Sequence, residues 1–344
     1  MRAAVVRNFR EDLSIETVQD PVCPDNGVVL EVLACGVCRS DYHGWTGNHP
    51  LVKDGSVLGH EYCGTVIEAG PNARYKKGDR LIAPFILGCG SCVPCQSGKS
   101  NTCASQIVPG FNAPGAYAEY VAVPFDHNLV YLPDNMSPAL AAGLGCRVTT
   151  AWHALTDRAG VSAGEWVAIH GTGGIGLSAM LLAKMLGAQV VVVDIVAEKL
   201  ENALALGADA AVNAAETDAA EAIREVSNGG AQVSIEALGH ELTTNASLEC
   251  LATLGRHVHV GMPGGDGMMN VNLRSIYMKQ LAFYGTRGMP SWKYPPLLEM
   301  IDRGDVDLSP MVDREISLSQ ASGELRMMSG ATPPGTAVIT DFTG

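Results

Sequence analysis

The chain has 344 residues, of which 47% are hydrophobic and 17% charged, and its net charge is −13. Because single hydrophobic cores rarely grow beyond about 250–300 residues, this length predicts two domains, and the composition is typical of a folded α/β protein. The acidic balance excludes a nucleic-acid surface, which needs a basic stripe, and no apolar run approaches the roughly 18 residues of a membrane span.

The first ~145 residues are predicted to be rich in β-strands. Strand-like runs of apolar and β-branched residues alternate with glycine and proline breaks about every ten residues. We therefore expect an N-terminal domain built mainly of sheet. The predicted strands lie within residues 28–38, 64–70, 79–84 and 115–123.

Four cysteines, Cys89, Cys92, Cys95 and Cys103, share one short stretch with the spacing C-x2-C-x2-C-x7-C. Four thiolates so close along the chain can converge on one tetrahedral ion, and zinc accepts four sulfur ligands readily. The alternatives are two disulfides or an iron–sulfur cluster. Disulfide frameworks are typical of small secreted domains, and cluster motifs usually include a Cys-Pro, which is absent at Cys103. The stretch therefore predicts a structural zinc with four protein ligands.

The expected cellular compartment also favours a metal site over disulfides for these cysteines. Residues 1–10 lack the apolar core of an export signal, so we expect a protein of the reducing cytoplasm with neither a membrane nor a nucleic-acid partner. Ten cysteines in that compartment indicate metal binding or catalysis.

From residue 166 the pattern changes to an alternation of short strands and helices. The strand 166–170 is followed by a glycine turn and a helix over 175–186, and the unbroken apolar run 189–194 suits a parallel strand covered on both faces. This alternation predicts a doubly wound parallel sheet. The remaining strands are predicted at 210–214, 231–238, 256–262 and 280–287. Beyond them we expect one helix over 295–304 and then strand-like segments.

The turn after the first of these strands has the sequence G-x-G-x-x-G. It consists of Gly171, Gly173 and Gly176, with Gly174 and Ile175 between them. The glycines allow a tight turn and close approach of the backbone to a pyrophosphate, and the helix N-terminus offers unpaired amides. A lone glycine motif is weak evidence, but its place between a strand and a helix predicts a dinucleotide site.

Asp194, at the end of the next predicted strand, indicates which dinucleotide binds. Its carboxylate can accept both hydroxyls of the adenosine ribose and would repel a 2′-phosphate. The following Ile195 and Val196 offer no guanidinium for such a phosphate. NAD is therefore predicted rather than NADP. Lys199 can reach the same ribose, although a solvated helix lysine would look identical in the sequence.

A second set of metal-type side chains is spread over the N-terminal domain. Two thiolates and one imidazole would give three protein ligands and leave a fourth position for water or substrate. Each residue also has an ordinary explanation, since a free cysteine is often a small buried hydrophobe. Spacing alone cannot select Cys38 over Cys35, or Cys146 over Cys63. The candidates are Cys38, Ser40, Asp41, His43, His60, Glu61 and Cys146.

The stretch G-H-E-x2-G-x5-G-x2-A at residues 59–73 resembles the zinc signature of the medium-chain alcohol dehydrogenase family. The four-cysteine stretch, the glycine turn and the G-T-R at Gly285–Arg287 occur in that family's order, so the likeness covers essentially the whole chain. It implies a GroES-like β-rich catalytic domain over 1–148 and a Rossmann NAD-binding domain over 149–288. A C-terminal segment, 289–344, would return to the catalytic domain.

The resemblance also implies roles for the metal-type side chains. Cys38, His60 and Cys146 would be the ligands of a catalytic zinc. Asp41 would orient the imidazole of His60, a role that such imidazoles usually need. Glu61 lies behind the metal in relatives and can approach it when water or product exchanges.

Further residues correspond to family positions at the cofactor and the proton path. Ser40 and His43 match the proton relay, Thr150 matches a residue beside the nicotinamide, and Arg287 belongs with the cofactor-binding residues. The implied cofactors are NAD and two zinc ions per subunit. The implied partners are a small alcohol or carbonyl substrate and further copies of the chain, in a homodimer or homotetramer.

The residues and the resemblance together predict an NAD-dependent, zinc-containing alcohol dehydrogenase. It would transfer hydride between NAD and a primary or secondary alcohol, or the matching aldehyde or ketone. One alternative is a zinc-dependent dehydrogenase of a polyol or another hydroxy compound. A second, outside enzymes, is a zinc or redox sensor on a retired dehydrogenase fold, against which the intact ligand and relay residues argue.

Two positions depart from the family pattern. Thr336 stands where many relatives carry an arginine on the pyrophosphate, which predicts modest affinity for NAD. Arg147 follows Cys146, where several relatives have a small residue, and it can narrow the pocket, meet an anionic substrate group or pair with a buried acid. Candidates for an apolar pocket wall are Trp45, His49, Phe85 and Trp292.

Overall fold

The computed structural model describes residues 1–265, 267–330 and 335–344. The chain forms two compact units, one of Met1–Thr149 with Gly288–Gly344 and the other of Thr150–Arg287. Among the helices of the described residues, none combines the length and the apolar character needed to span a membrane.

The strands in chain order are β1 (Arg2–Val5), β2 (Ser14–Thr17), β3 (Val28–Gly36), β4 (Glu61–Ala69), β5 (Arg80–Ile82), β6 (Tyr120–Val123), β7 (Val130–Tyr131), β8 (Trp166–His170), β9 (Gln189–Asp194), β10 (Ala210–Asn213), β11 (Ala231–Glu236), β12 (Leu251–His259), β13 (Ala282–Gly285), β14 (Val312–Ser317) and β15 (Thr336–Asp341). The α-helices are α1 (Arg39–Trp45), α2 (Val93–Gln96), α3 (Pro138–Gly143), α4 (Thr149–His153), α5 (Gly174–Met185), α6 (Ala197–Ala205), α7 (Ala219–Val226), α8 (Glu241–Glu249), α9 (Leu273–Lys279), α10 (Tyr294–Asp302) and α11 (Ala321–Met327). Turns of π-helix at Leu144–Val148 and Ala154–Ala159 follow α3 and α4.

The first unit is built around a seven-stranded sheet in the order β14-β15-β3-β4-β5-β7, in which β6 also pairs with β3. Strand β3 is a long apolar run with most of its residues buried, and it pairs antiparallel with β4. Gly36 at the end of β3 lies opposite Glu61 at the start of β4. Because Cys38 follows β3 and His60 precedes β4, the strand pairing brings both residues to one end of the sheet.

The C-terminal part of the chain completes this sheet. Strand β15 pairs antiparallel with β3, with Ile339 opposite Cys35 and Val338 opposite Gly36. Strand β14 then pairs in parallel with β15. Residues from both ends of the first unit therefore share one hydrophobic core.

The prediction of strand-like segments alone after residue 304 is wrong for α11, which is a helix. It follows a capped turn in which the side chain of Gln320 accepts a hydrogen bond from the backbone N–H of Ser317. Ala321 and Leu325 are its buried apolar residues. In a seven-residue helix with two buried apolar positions, the apolar pattern is too short to be distinguished from that of a strand in the sequence.

The second unit is a six-stranded parallel sheet in the order β10-β9-β8-β11-β12-β13. Renumbered from its first strand, this is the 3-2-1-4-5-6 order of a Rossmann fold. Val190–Val193 of β9 are buried, as expected for a strand covered on both faces. The predicted doubly wound parallel sheet is confirmed. Strand β12 begins at Leu251, whereas its predicted start is 256. The prediction missed the first residues because Gly255 interrupts the apolar pattern within the strand.

Two buried histidines lie in the core of the second unit. The Nδ1 atom of His257 lies 2.9 Å from the Ser247 hydroxyl and 3.2 Å from the Ser234 hydroxyl. Burial lowers the pKa of His170 to about 4. Burial, together with the neighbouring His259 and His170, lowers the pKa of His257 to about 3. Both imidazoles are therefore neutral in the folded protein near neutral pH.

We predict that the free energy of unfolding falls as the pH is lowered from about 6.5 towards 4. An unfolded histidine takes up a proton near pH 6.5, whereas folded His257 stays neutral, so acid favours the unfolded state. Each such histidine contributes up to about 1.4 kcal/mol per pH unit in this window. Urea unfolding at about pH 6.5 and about pH 5 measures the slope.

The matched control is His257→Asn, which keeps a polar group at the position of Nδ1 but does not titrate. The free energy of unfolding of this variant should depend less steeply on pH than that of the parent protein. Equal slopes would show that His257 does not contribute to the acid sensitivity.

Candidate active site and metal centres

The four cysteines of the sequence motif lie together in the first unit. The sulfurs of Cys89, Cys92, Cys95 and Cys103 lie within 4.8 Å of one another, and all ten cysteines of the chain are free thiols. The Cys92 and Cys103 sulfurs are 3.7 Å apart. A disulfide bond is about 2.05 Å long, whereas tetrahedral zinc with bonds of about 2.3 Å separates its sulfurs by about 3.8 Å. The geometry fits a zinc ion and excludes the disulfide alternative.

The backbone of this stretch directs N–H groups at the sulfurs. The N–H of Cys89 donates to the sulfur of Cys103 over 3.4 Å. Hydrogen bonds from the hydroxyl of Ser91 and from the N–H groups of Ser91 and Cys92 lower the pKa of Cys89 to about 5. These donors favour the thiolate, which is the form that binds a metal.

A second group of buried side chains lies at the end of the first unit's sheet. Cys38, His60, Glu61 and Cys146 each offer one ligand atom, and the four atoms lie within 4.8 Å of one another. Cys38 is the N-cap of α1, Glu61 begins β4, and Cys146 lies in the π-helical turn after α3. Such turns are frequent at functional sites. Three separate segments therefore supply this group.

Asp41 orients the imidazole of His60. Its Oδ1 lies 3.0 Å from Nδ1 of His60 and accepts a hydrogen bond from the N–H of Gly59, while Oδ2 accepts one from the N–H of Cys38. The carboxylate holds a proton on Nδ1, which leaves Nε2 as the atom able to bind a metal. Burial lowers the pKa of this imidazole, but Asp41 and Cys38 outweigh burial and raise it, so a metal at Nε2 would replace the second ring proton. Nε2 is buried and, among the described residues, has no hydrogen-bond partner. A buried lone pair beside two sulfurs fits a metal ligand.

The two sulfurs of this group interact directly. A hydrogen bond between Cys38 and Cys146 lowers the pKa of Cys38 well below its usual range and raises that of Cys146. Both side chains are buried, so a second thiolate here requires a cation close by. Cys35 and Cys63, which spacing could not separate from this pair, lie outside the group, and burial raises the pKa of each.

Arg147 pairs with the acid of this group. Its Nη2 lies 3.2 Å from Oε2 of Glu61 and donates a 2.6 Å hydrogen bond to the carbonyl of Val37. Burial opposes the charge of Arg147, but the Glu61 carboxylate and the Cys38 sulfur outweigh it, and the pKa of Arg147 is raised. Burial likewise raises the pKa of Glu61, against the attraction of Arg147. Of the three roles left open for Arg147, the structure shows the pairing with a buried acid.

Ser40 and His43 lie three residues apart on α1, so they share one face of the helix. Both are only partly exposed. Burial and the neighbouring Arg39 lower the pKa of His43. Its imidazole is therefore neutral at pH 7 and able to accept a proton.

Two phenylalanine rings approach the imidazole of His60. The ring centroid of Phe85 lies 5.7 Å away and that of Phe111 lies 5.3 Å away. His49 is 4.3 Å from Phe111, measured between centroids. Phe111 was not among the candidates for a pocket wall, because nothing in the sequence distinguishes a phenylalanine next to a metal ligand from one elsewhere in the core.

The two tryptophan candidates make other contacts. Trp45 is buried, and its Nε1 donates to the carbonyl of Glu11. Trp292 is 60% exposed, and its Nε1 donates to the carbonyl of Gly98 over 2.8 Å, next to the four-cysteine group. The N–H of each indole donates a hydrogen bond to a backbone carbonyl, as is usual for a tryptophan in contact with the protein interior.

The glycine turn of the second unit has the geometry that its sequence predicts. Gly171 has a φ of +94°, which is strained for any side chain. A Cβ on Gly176 would lie 1.7 Å from the carbonyl oxygen of Gly171, so only glycine allows the helix to pack on the turn. Gly173 is the N-cap of α5, which begins with Gly174 and Ile175. The helix thus starts at the carboxyl end of β8, where open α/β sheets bind ligands.

Asp194 ends β9 beside this turn and is already hydrogen-bonded within the chain. Its Oδ2 accepts from the N–H and the hydroxyl of Thr172 over 2.9 and 2.7 Å. Its Oδ1 accepts from the N–H groups of Ile195 and Val196 over 2.8 and 3.2 Å. Burial opposes ionisation, yet these bonds lower the pKa of Asp194. The contacts with Thr172 were missed from the sequence, and a ribose would have to share these acceptor positions.

The remaining cofactor candidates lie on different elements. Lys199 is in the first turn of α6, and Arg287 follows β13, so both lie at the carboxyl edge of the parallel sheet. Thr150 is buried in α4. In the first unit, Thr336 begins β15 and is buried.

Comparison with known proteins places the two units in one family. Residues 24–134 match the family described as alcohol dehydrogenase GroES-like domain, and residues 174–303 match that described as zinc-binding dehydrogenase. An alcohol dehydrogenase of Geobacillus stearothermophilus is 36% identical over 269 residues, which are 77% of this chain and 78% of that protein. The chain belongs to the zinc-dependent medium-chain alcohol dehydrogenase family.

Relatives in this family also match over nearly the full length. An NAD-dependent alcohol dehydrogenase of Sulfolobus acidocaldarius is 30% identical over an alignment of 351 residues, covering 98% of this chain and 99% of that protein. The solved structure of the alcohol dehydrogenase TADH from Thermus sp. ATN1 superposes with a TM-score of 0.92 at 29% identity, over 99% of this chain and 100% of that one. The predicted family and its GroES-like and Rossmann folds are confirmed.

The two metal groups predict different outcomes for matched cysteine variants. Cys95→Ser should lower the free energy of unfolding or prevent soluble expression, because a closed metal site contributes directly to folding. Cys38→Ser should remain folded and lower kcat/KM for alcohol oxidation by about 100-fold or more. Thermal unfolding by circular dichroism, metal content and steady-state kinetics measure these effects. Undiminished turnover in Cys38→Ser would refute its assignment as a ligand.

Proposed function

We propose that this protein is an NAD-dependent, zinc-containing alcohol dehydrogenase that transfers hydride between NAD and a primary or secondary alcohol or its carbonyl product. Its family, and relatives named NAD-dependent alcohol dehydrogenase, support this class of reaction. We assign one zinc to Cys38, His60 and Cys146, and a second zinc to the four-cysteine group.

The unpaired Nε2 of His60 carries this proposal. It is held by Asp41 beside the sulfurs of Cys38 and Cys146, in a buried group whose carboxylate is paired with an arginine. Three protein ligands leave one coordination position open, whereas four close the site. A zinc ion bound there would supply a Lewis acid for the oxygen of an alcohol or carbonyl substrate.

Groups of the chain itself would handle the substrate proton. We assign the first transfer to the hydroxyl of Ser40, which can accept and donate at once, and the final transfer to solvent to a ring nitrogen of His43. Both side chains are partly exposed on one face of α1, and His43 is neutral at pH 7. Asp41 is fully buried and bonded to the protein, so it orients His60 and does not exchange the proton with water.

The second unit would hold NAD, which supplies or accepts the hydride when bound. The turn Gly171–Gly176 and the start of α5 would hold the pyrophosphate. The negative charge at Asp194 would repel a 2′-phosphate, and its carboxylate would exchange bonds with Thr172 for bonds with the ribose. Thr150 and Arg287 are assigned to the cofactor from their positions in the family sequence, and Lys199 is assigned to it from its place near the ribose site at Asp194.

A polyol or another hydroxy compound is the second candidate substrate. A sorbitol dehydrogenase of Bacillus subtilis is 31% identical over 93% of this chain and 91% of that protein. The rings of Phe85 and Phe111 beside His60 favour an apolar substituent instead, because they offer no hydrogen bonds to the hydroxyls of a polyol. We therefore place simple alcohols and their carbonyl counterparts first.

We further propose that the protein works in the reducing cytoplasm as a homodimer or homotetramer. The free state of all ten cysteines supports the compartment. Apolar side chains exposed on α9 and on the edge strand β13 support an assembly, since large exposed apolar groups mark interaction surfaces. They are Leu273, Tyr277, Met278 and Phe283.

We predict that purified protein reduces NAD in the presence of short primary and secondary alcohols. A chelator should abolish the reaction, and added zinc should restore it, because the open site requires the metal. The matched comparison is sorbitol, for which we expect kcat/KM to be lower by about tenfold or more. Formation of NADH measures the rate. Failure of the zinc-replete protein to oxidise any alcohol would contradict the proposed function.

We also predict that Asp194→Asn weakens the preference for NAD. Removing the negative charge relieves the repulsion of a 2′-phosphate, so the ratio of kcat/KM for NAD to that for NADP should fall by at least about tenfold. Thr172→Val is the matched control, since it removes a hydrogen bond to the carboxylate and keeps the charge. An unchanged ratio in Asp194→Asn would show that another group selects the cofactor.

A further inference from the structure

The buried pair of Arg147 and Glu61 lies at the catalytic metal group. The family resemblance implies that Glu61 can approach the metal when water or product exchanges, whereas it implies no role for Arg147. A carboxylate oxygen of Glu61 lies within 4.8 Å of the ligand atoms of Cys38, His60 and Cys146. At this distance a carboxylate can become a fourth protein ligand, and a site closed by four protein ligands has no position for substrate. Whatever holds the carboxylate therefore decides whether the site stays open.

We propose that Arg147 is a positioning residue that keeps the Glu61 carboxylate off the metal and so preserves the open coordination position. The proposal rests on the proposed function, since it requires a metal at Cys38, His60 and Cys146. Nη2 of Arg147 lies between two acceptors, the carbonyl of Val37 at 2.6 Å and Oε2 of Glu61 at 3.2 Å. The carbonyl anchors the guanidinium to the backbone just after β3, and the guanidinium holds the carboxylate.

The packing around Glu61 restricts the positions that its carboxylate can adopt. The side chain is fully buried, and neither of its oxygens has a hydrogen-bond partner in the described part of the chain apart from the ion pair. A Cβ on Gly36 would lie 2.5 Å from Oε2 of Glu61, and one on Gly145 would lie 3.0 Å from its Cα. The residue thus occupies a slot that these two glycines leave open.

A buried, ionised carboxylate is stabilised by a nearby cation, and two cations can serve Glu61. One is the guanidinium of Arg147, and the other would be a metal bound by Cys38, His60 and Cys146. If the arginine is removed, the charge of Glu61 can be neutralised by direct coordination. The pair therefore acts as a restraint rather than as a source of stability.

The restraint and one ligand come from the same turn of the chain. Cys146 and Arg147 are neighbours in the π-helical turn that follows α3. The charge of Arg147 also faces the sulfurs of Cys38 and Cys146.

The test is Arg147→Met, which removes the guanidinium and keeps most of the side-chain volume. In a crystal structure of the metal-replete variant we expect a Glu61 oxygen at about 2.0–2.2 Å from the metal, and in the parent protein we expect it on Arg147. Cobalt-substituted protein reports the same change in its visible spectrum, independently of activity. Cobalt bound at the four-cysteine site absorbs equally in the variant and the parent protein, so its contribution cancels when the two spectra are subtracted. The accompanying loss in kcat/KM should be about 10- to 100-fold.

The double variant Arg147→Met/Glu61→Gln is the matched control. It removes both charges, so the spectral change caused by a coordinated Glu61 should be absent, whereas any change caused by the lost contact of Arg147 with the Cys38 sulfur remains in both variants. Its kcat/KM should exceed that of Arg147→Met. If Arg147→Met does not fold, Arg147→Gln replaces it, since an amide can still donate to the carbonyl of Val37 without carrying charge. The same shift of Glu61 to the metal is expected in that variant.

The outcomes separate this proposal from the proposed function. A parent-like spectrum and a Glu61 distant from the metal in both Arg147 variants would overturn the positioning role, while the enzyme assignment would stand. A parent protein that holds no metal at Cys38, His60 and Cys146 would overturn both. Coordination of Glu61 in the parent protein itself would also overturn the positioning role.

Discussion

The carboxylate of Asp41 is the constraint on which the site of the first unit depends. It is fully buried and binds three groups at once: the N–H of Cys38 at the start of its own helix α1, and the N–H of Gly59 and Nδ1 of His60 in the segment before β4. A buried carboxylate is costly unless its lone pairs are used, so the start of α1 and the segment before β4 must meet before Asp41 can be buried. The direction of the imidazole and the closure of this end of the sheet are therefore established together.

Charge balance explains why the same place suits a metal. Four buried groups there can carry negative charge, the sulfurs of Cys38 and Cys146 and the carboxylates of Asp41 and Glu61, and the guanidinium of Arg147 faces them. Low dielectric surroundings make an uncompensated excess of negative charge expensive. In the chain alone the raised pKa values of Glu61 and Cys146 limit that charge, and a divalent cation bound by the two sulfurs and the imidazole would allow both sulfurs to ionise.

The features that could be predicted from the sequence are those whose partners are close along the chain. The four cysteines and the glycine turn each lie within one short stretch, so spacing and residue type were enough to place them. Cys38 could not be separated from Cys35 in this way, because the difference depends on the capping of α1 and on contact with Cys146. The role of Arg147 was likewise open, since its partner Glu61 is distant in sequence. The bonds from Thr172 to Asp194 were missed because they form only when β8 and β9 are paired.

The first unit is assembled from two stretches of chain that are separated by the whole of the second unit. Strand β15, which lies beside β3, is therefore made on the ribosome only after all residues of the parallel sheet. Until that point β3 has an open edge next to the segment that carries Cys38, and the parallel sheet is free to form first. During synthesis the second unit can fold early, whereas the sheet of the first unit is completed only when strand β15 has been made.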